Sequence, residues 1–224
     1  MTYLIVSEKS WHKKLYESLA SGVQGEWLLI NQRQAFTAAR LAEIKPNKVF
    51  IPHWSYLIPD EIFTNYECIV FHMTDLPFGR GGSPLQNLIA RGFERTKVSA
   101  IRVNEGLDTG DVYLQKELSL HGTAEEIFLR ASKVIEQMIV EIIEQDLQSV
   151  PQQGEPVVFA RRKPAEGNIV SLDSIEKVFD FIRMLDAEGY PKAFLEAGNF
   201  RFEFSRASLK SDQSIIADVR IIQK

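Results

Sequence analysis

Four short runs before residue 72 are apolar almost throughout: Tyr3 to Val6, Glu26 to Ile30, Lys48 to Ile51 and Cys68 to Phe71. Each is bounded by polar or turn residues, and none shows the strict alternation of a strand with one wet face. Between them, Trp11, Leu15 and Leu19, and then Ala35, Ala38, Ala39 and Ala42, recur at helical spacing. Strands covered on both faces and separated by helices constrain the chain to the α/β class. The expected architecture is Rossmann-like, a mainly parallel sheet with helices on both faces.

The same reading continues downstream. A short helix after Pro84 carries Leu85, Leu88 and Ile89 on one face, and Val98 to Val103 and Val112 to Leu120 read as two more strands. Thr123 and Glu126 have the spacing of a capping box. They open a long helix with an apolar stripe of Ile127, Ala131, Val134, Ile135, Met138, Ile142 and Ile143. The pattern changes near residue 148, where QSVPQQGEP reads as a connector and ARRKPAEGN as a basic loop. A helix over 174–185 and strands over 200–207 and 215–222 follow. We therefore expect a catalytic domain over 1–148 and a small α+β subdomain over 149–224, short for an independent domain.

Composition excludes several classes. A net charge of −4 and a pI near 5.7 argue against a broad nucleic-acid-binding face. One cysteine, Cys68, rules out an internal disulfide and a thiolate metal cluster. The four histidines lack ligand spacing, so no metal is expected. No apolar run approaches the length of a membrane span, and the start of the chain lacks signal-peptide features. The expectation is a cytoplasmic protein without membrane partners.

Ligands of open α/β sheets bind beyond the carboxyl ends of strands, and three segments meet that description. His72 ends one apolar run, HWSYLIP (53–59) follows another, and NEGLDTGD (104–111) follows the strand at 98–103. An imidazole beside a carboxylate suits proton handling near neutral pH. From spacing alone, His72 also suits a merely hydrogen-bonded strand end and Asp108 a turn former. Gly79, Gly81 and Gly82 fit either a tight turn or close approach of backbone to a ligand.

The residues His72 to Ile89, HMTDLPFGRGGSPLQNLI, resemble the "HPSLLP…RG..P…I" signature of formyltransferases that use N10-formyltetrahydrofolate. Pro77, Arg80, Gly81, Pro84, Gln86 and Ile89 fall in register. VNEGLDTGD (103–111) is similar to that family's loop carrying the catalytic aspartate, and YLIPDEIF (56–63) to the segment before its histidine strand. FDFIRMLDAEGYPKAFLEAGNFRFEF looks like the stretch after the catalytic domain in sugar N-formyltransferases and methionyl-tRNA formyltransferases. Two departures stand out: the N-terminal half is shortened, and Val70 occupies the position of the family's triad asparagine.

The resemblance implies formyl transfer to a primary amine, with His72 and Asp108 as the catalytic pair. It implies a pterin slot with Trp54, Ser55, Tyr56 and Leu57 on one wall and Val103, Asn104, Glu105 and Gly106 on the other. Lys9, Thr74, Arg80 and Gly81 fall to the acceptor side, with Ser7, Arg161, Arg162 and Lys163 as further diphosphate candidates. Thr74, Asn104 and a glycine N–H are the candidates to replace the missing asparagine as donor to the formyl oxygen. The implied partners are small molecules: the folate donor and a nucleotide-linked amino sugar of surface-polysaccharide biosynthesis, with no nucleic acid. A homodimer through the terminal strands and the 174–185 helix stays open. The rivals are a hydrolase-like relative that passes the formyl group to water and a folate- or nucleotide-binding module without catalysis.

Overall fold

The computed structural model describes residues 1–224. In chain order the elements are β1 (Thr2–Val6), α1 (His12–Gly22), β2 (Glu26–Ile30), α2 (Ala38–Ile44), β3 (Lys48–Ile51), α3 (Asp60–Phe63), β4 (Cys68–His72), β5 (Phe78–Gly81) and α4 (Pro84–Ile89). There follow β6 (Arg95–Arg102), β7 (Val112–Ser119), α5 (Ala124–Glu144), β8 (Val157–Phe159), α6 (Ile175–Met184), β9 (Ala193–Ala197), β10 (Phe200–Leu209) and β11 (Ile215–Gln223). They form two compact units, neither continuous in sequence. The first comprises Met1–Gly81, Thr96–Leu118 and Leu129–Val158; the second comprises Gly82–Arg95, Ser119–Phe128 and Phe159–Lys224.

The first unit is built on a six-stranded sheet in the order β2-β1-β3-β4-β6-β7. Strands β1, β2, β3 and β4 are parallel, as their apolar sequences require. Leu4, Val6, Val49, Ile51 and Cys68 from three of them meet Ile30, Phe36, Leu41 and Ile62 in one core cluster. Cys68 is part of that packing, and burial pushes its thiol up to about 12, so it behaves as a small hydrophobe. Strand β6 runs antiparallel to β4, with His72 opposite Ser99 and Ile69 opposite Arg102. No helix is long and apolar enough to cross a membrane.

Helix α5 starts as its sequence dictates. Thr123 N–H donates to Glu126 Oε2 at 2.7 Å and Glu126 N–H returns a bond to Thr123 Oγ1 at 3.3 Å. Ile127, Ala131, Ile135, Met138 and Ile142 are buried, while Val134 and Ile143 are half-buried at the margin of the stripe. In the second unit, Ser174 caps α6 by accepting from Lys177 N–H, and α6 packs against β10 of the antiparallel sheet β11-β10-β9. That sheet carries paired charges: Arg201 with Glu196 and Glu203, Arg220 with Glu203, Arg206 with Asp218, and Lys224 with Glu196.

Three strands differ from expectation. Glycines with φ of 80° and 105° at Gly79 and Gly81 disguise β5 as a turn, although it pairs with β8. The three residues of β8 are too few to show a period. In β9, AFLEA has the helix propensity of Ala, Leu and Glu, and pairing with β10 overrides it.

The carboxyl end of β1 holds a buried polar pair. Ser7 Oγ accepts from Lys9 N–H at 3.2 Å and lies 2.7 Å from His12 Nδ1, a bond whose direction follows the tautomer of the ring. Burial first, then His53 and the Lys9 ammonium, lower His12 from 6.5 to about 3. The unfolded chain therefore binds the extra proton between those values, so stability is level above pH 6.5 and falls as the pH drops. At pH 5 this one group should cost roughly 2 kcal/mol relative to neutrality. Urea unfolding at the two pH values should show that loss in the wild type and a smaller one in His12→Asn, whose amide oxygen can accept from Ser7. An equal loss in both would exclude His12 as its source.

Candidate active site

His72 is the last residue of β4 and is nearly buried, with 8% of its surface exposed. Its Nε2 lies 2.7 Å from the Gly79 carbonyl oxygen on β5. A carbonyl only accepts, so Nε2 carries the hydrogen and Nδ1 is the ring atom left for chemistry. Asp108 Oδ2 lies 3.5 Å from that Nδ1 and accepts the Gly81 N–H at 2.8 Å. A protonated ring is thus met by an acceptor on each side: a carbonyl at Nε2 and a carboxylate at Nδ1. The glycine strand supplies both fixed points through its backbone. Gly79 orients the imidazole and Gly81 anchors the aspartate.

The route by which Asp108 reaches His72 departs from the strand-end expectation. Because β6 is antiparallel to β4, the loop after β6 leaves beside the start of β4, where Val103 N–H donates to Cys68 O at 2.9 Å. His72 stands at the other end of the strand. The 3.5 Å approach of Asp108 therefore means that the 103–111 loop folds back toward His72. Asp108 pays for this with a left-handed backbone, φ 52°, which costs a non-glycine residue roughly 1 kcal/mol or more.

The slot residues separate into core and rim. Trp54 and Val103 both pack on the core cluster around Leu4 and Ile51, and so does Val70. Trp54 is set edge-on to Phe36 and to Tyr56, and the Arg33 guanidinium lies 3.8 Å from the Tyr56 ring centre. Tyr56, Leu57 and Leu107 are exposed at 40%, 84% and 58%. The Trp54–Tyr56 pair offers an aromatic surface, and such a surface suits a flat heterocycle. Ser55, Asn104, Glu105 and Gly106 are exposed as well. Asn104 Oδ1 accepts from Gly106 N–H and Thr109 Oγ1, so its carbonyl shapes the loop. A surface depression of about 370 Å³ along α5, lined by Lys116, Glu136, Glu141 and Glu144 among others, contains none of these residues.

On the expected acceptor side, the structure directs several groups inward. Thr74 is fully buried, with its hydroxyl 3.4 Å from Gly79 O. The Gly81 N–H is committed to Asp108. Arg80 Nε and Nη2 both donate to Gln152 Oε1, at 3.1 and 2.8 Å. The Lys9 ammonium lies 5.3 Å from the Trp11 ring centre, beyond the end of β1. In the second unit, Arg162 donates to Glu166 O and lies over Phe181, Arg161 packs on Gly82, and Lys163 N–H donates to the Glu166 carboxylate. Gln152, inside what reads as a connector, is a residue of the candidate site that carries no signal in the sequence pattern.

His72, Asp108 and the slot residues 54–57 and 103–106 lie within a stretch that matches known proteins. Residues 11–143 match the model of the formyl transferase family, and residues 164–222 match that of the methionyl-tRNA formyltransferase C-terminal domain. The chain belongs to the formyl transferase family. A methionyl-tRNA formyltransferase of Ehrlichia ruminantium (strain Gardel) is 30% identical over 181 residues, covering 79% of this chain and 58% of the relative. For that of Sulfurimonas denitrificans the identity is 31% over 121 residues, covering 53% of this chain and 40% of the relative. The chain thus spans only about 40 to 58% of the length of these curated relatives. A solved structure described as methionyl-tRNA formyltransferase from Clostridium thermocellum superposes with a TM-score of 0.97 at 49% identity, covering all of both chains. A likely sugar N-formyltransferase from Mycobacterium tuberculosis shares the fold at a TM-score of 0.70, 16% identity, and 100% and 97% coverage. The family fold is therefore the mainly parallel formyltransferase sheet with a small antiparallel sheet appended.

Proposed function

We propose that this formyltransferase family member moves a formyl group from N10-formyltetrahydrofolate to a primary amine, with His72 and Asp108 as its catalytic pair. The observation that supports this most is the imidazole held at Nε2 by the Gly79 carbonyl while Nδ1 faces the Asp108 carboxylate. When bound, the folate supplies an activated carbonyl; Trp54, Tyr56, Leu57 and the Val103–Gly106 segment are the residues to hold its pterin. His72 takes the proton of the attacking amine at Nδ1. The resulting imidazolium is held by Gly79 O and faces Asp108, and it returns that proton to N10 as the formyl C–N10 bond breaks and tetrahydrofolate leaves. Asp108 stabilises that charged ring at the moment it forms.

For the acceptor, a compact amine such as a nucleotide-linked amino sugar fits better than a tRNA. Affinity for tRNA comes largely from unpaired cations set against phosphates. Here the chain is net negative, and Arg201, Arg206, Arg220 and Lys224 of the C-terminal sheet each face a carboxylate. Methionyl-tRNA is the second reading, favoured by the name of the 49% identical structure and of the C-terminal family model. Tetrahydrofolate release from N10-formyltetrahydrofolate should be measured with a panel of nucleotide-linked 4-amino sugars, with methionyl-tRNA, and with neither. Release that requires an amino sugar is expected. Release only with methionyl-tRNA would replace the acceptor; equal release without any amine would make water the acceptor and overturn the transfer reading.

A further inference from the structure

Gln152 lies in QSVPQQGEP, the stretch that looks like a simple connector. An antiparallel bridge between Val112 and Val150 lays this stretch beside the start of β7, with N–H···O bonds of 2.8 and 2.9 Å in the two directions. The Gln152 amide then spends its whole hydrogen-bonding capacity on the site. Its Nε2 donates to Asp108 O at 2.9 Å and to Gly110 O at 2.8 Å, and its Oε1 accepts from Arg80 Nε and Nη2. The orientation of the amide is not arbitrary. Arg80 offers only donors and the two backbone carbonyls offer only acceptors, so a flipped amide would break all four bonds.

Gln152 thus grips the backbone of Asp108 itself, the residue that carries a left-handed φ of 52° on a loop folded back toward His72. Such a conformation persists only where its surroundings over-determine it. Three holds do so here: Gly81 N–H on the carboxylate, Arg102 N–H on Asp111 O, and Gln152 on the carbonyls to either side of Thr109. Arg80, whose position in the glycine strand suggests an anion binder, aims two of its donors at this amide instead.

We infer that Gln152 is a positioning residue, oriented by Arg80, that holds the Asp108 backbone so that its carboxylate meets His72. The inference deepens the formyl-transfer reading and rests on it for its catalytic meaning, though the structural part does not. Gln152→Glu keeps the shape and the pairing with Arg80 but turns an acceptor against two carbonyls. Gln152→Met removes the bonds without adding charge and covers the case in which the glutamate variant does not fold.

The first readout is amide hydrogen exchange over residues 104–111, compared with that of β1. Exchange in the loop should rise at least tenfold in either variant while β1 stays protected. The second is kinetic. Because a misplacement of about 1 Å can cost 100-fold, kcat should fall by that order with the donor KM little changed. The loss should also vanish in an Asp108→Asn background, since two residues acting through one contact are not additive. Unchanged loop exchange overturns the inference, and so does a kcat loss that adds in full to that of Asp108→Asn. If the wild type transfers no formyl group, the functional reading fails by itself, and the exchange result still decides whether Gln152 holds the loop.

Discussion

His72→Ala is expected to lower the rate of formyl transfer about a thousandfold or more, and Asp108→Asn by a comparable factor, with both proteins still folded. A positioned general base contributes on the order of 100- to 10,000-fold. His72 is expected toward the upper end because its Nδ1 is the ring atom left open between a carbonyl hold on Nε2 and the Asp108 carboxylate. Asn at 108 can still accept the Gly81 N–H through its amide oxygen, so the loop should survive. It lacks the negative charge that stabilises a protonated ring 3.5 Å away. His72→Ala leaves the buried Gly79 carbonyl with only the longer bond from Thr74 Oγ1, costing roughly 1 kcal/mol. Thermal midpoints should accordingly drop modestly in that variant and hardly at all in Asp108→Asn. Single-turnover rates separate the chemical step from binding, and near-normal rates in both variants would remove the proposed pair from the mechanism.

The second large effect is expected at Gly110. A Cβ there would fall inside the van der Waals surface of the Arg102 carbonyl oxygen and 2.8 Å from the Arg102 carbonyl carbon. Both atoms are backbone of β6, so nothing flexible can yield. Gly110→Ala must push the loop off the strand. That threatens the Arg102 N–H···Asp111 O bond, the Gln152···Gly110 O bond and the approach of Asp108 to His72 together. A loss of roughly 3 kcal/mol is expected, at the severe end of overpacking, along with most of the activity. Urea unfolding checks the first figure. A variant of wild-type stability and rate would mean that the loop is looser than its contacts imply.

These effects depend on placements that the chain discloses unevenly. The parallel core was legible because doubly covered strands must be apolar throughout, and β1 to β4 are. The start of α5 was legible because Thr123 and Glu126 form a local, self-contained cap. His72 and Asp108 stood out through their motif neighbours rather than their spacing, since 36 residues and a reversal of strand direction separate them. Strand β9 was hidden because pairing with β10 outweighs the local preference of its residues. Gln152 was hidden for a different reason. A glutamine in a polar connector carries no signal until the Val112–Val150 bridge delivers it to the loop. Arg80 shows the converse hazard: a cation among glycines suggests an anion site, yet two of its donors serve another side chain.

The most direct test is a crystal structure of the wild-type chain with a non-transferable folate analogue bearing its formyl group at position 10. The expected result is a pterin against Trp54 and Val103, a formyl carbonyl beside His72 Nδ1, and Asp108 still facing that nitrogen. A folate bound elsewhere, or an Asp108 drawn away from His72 when the analogue binds, would contradict the account.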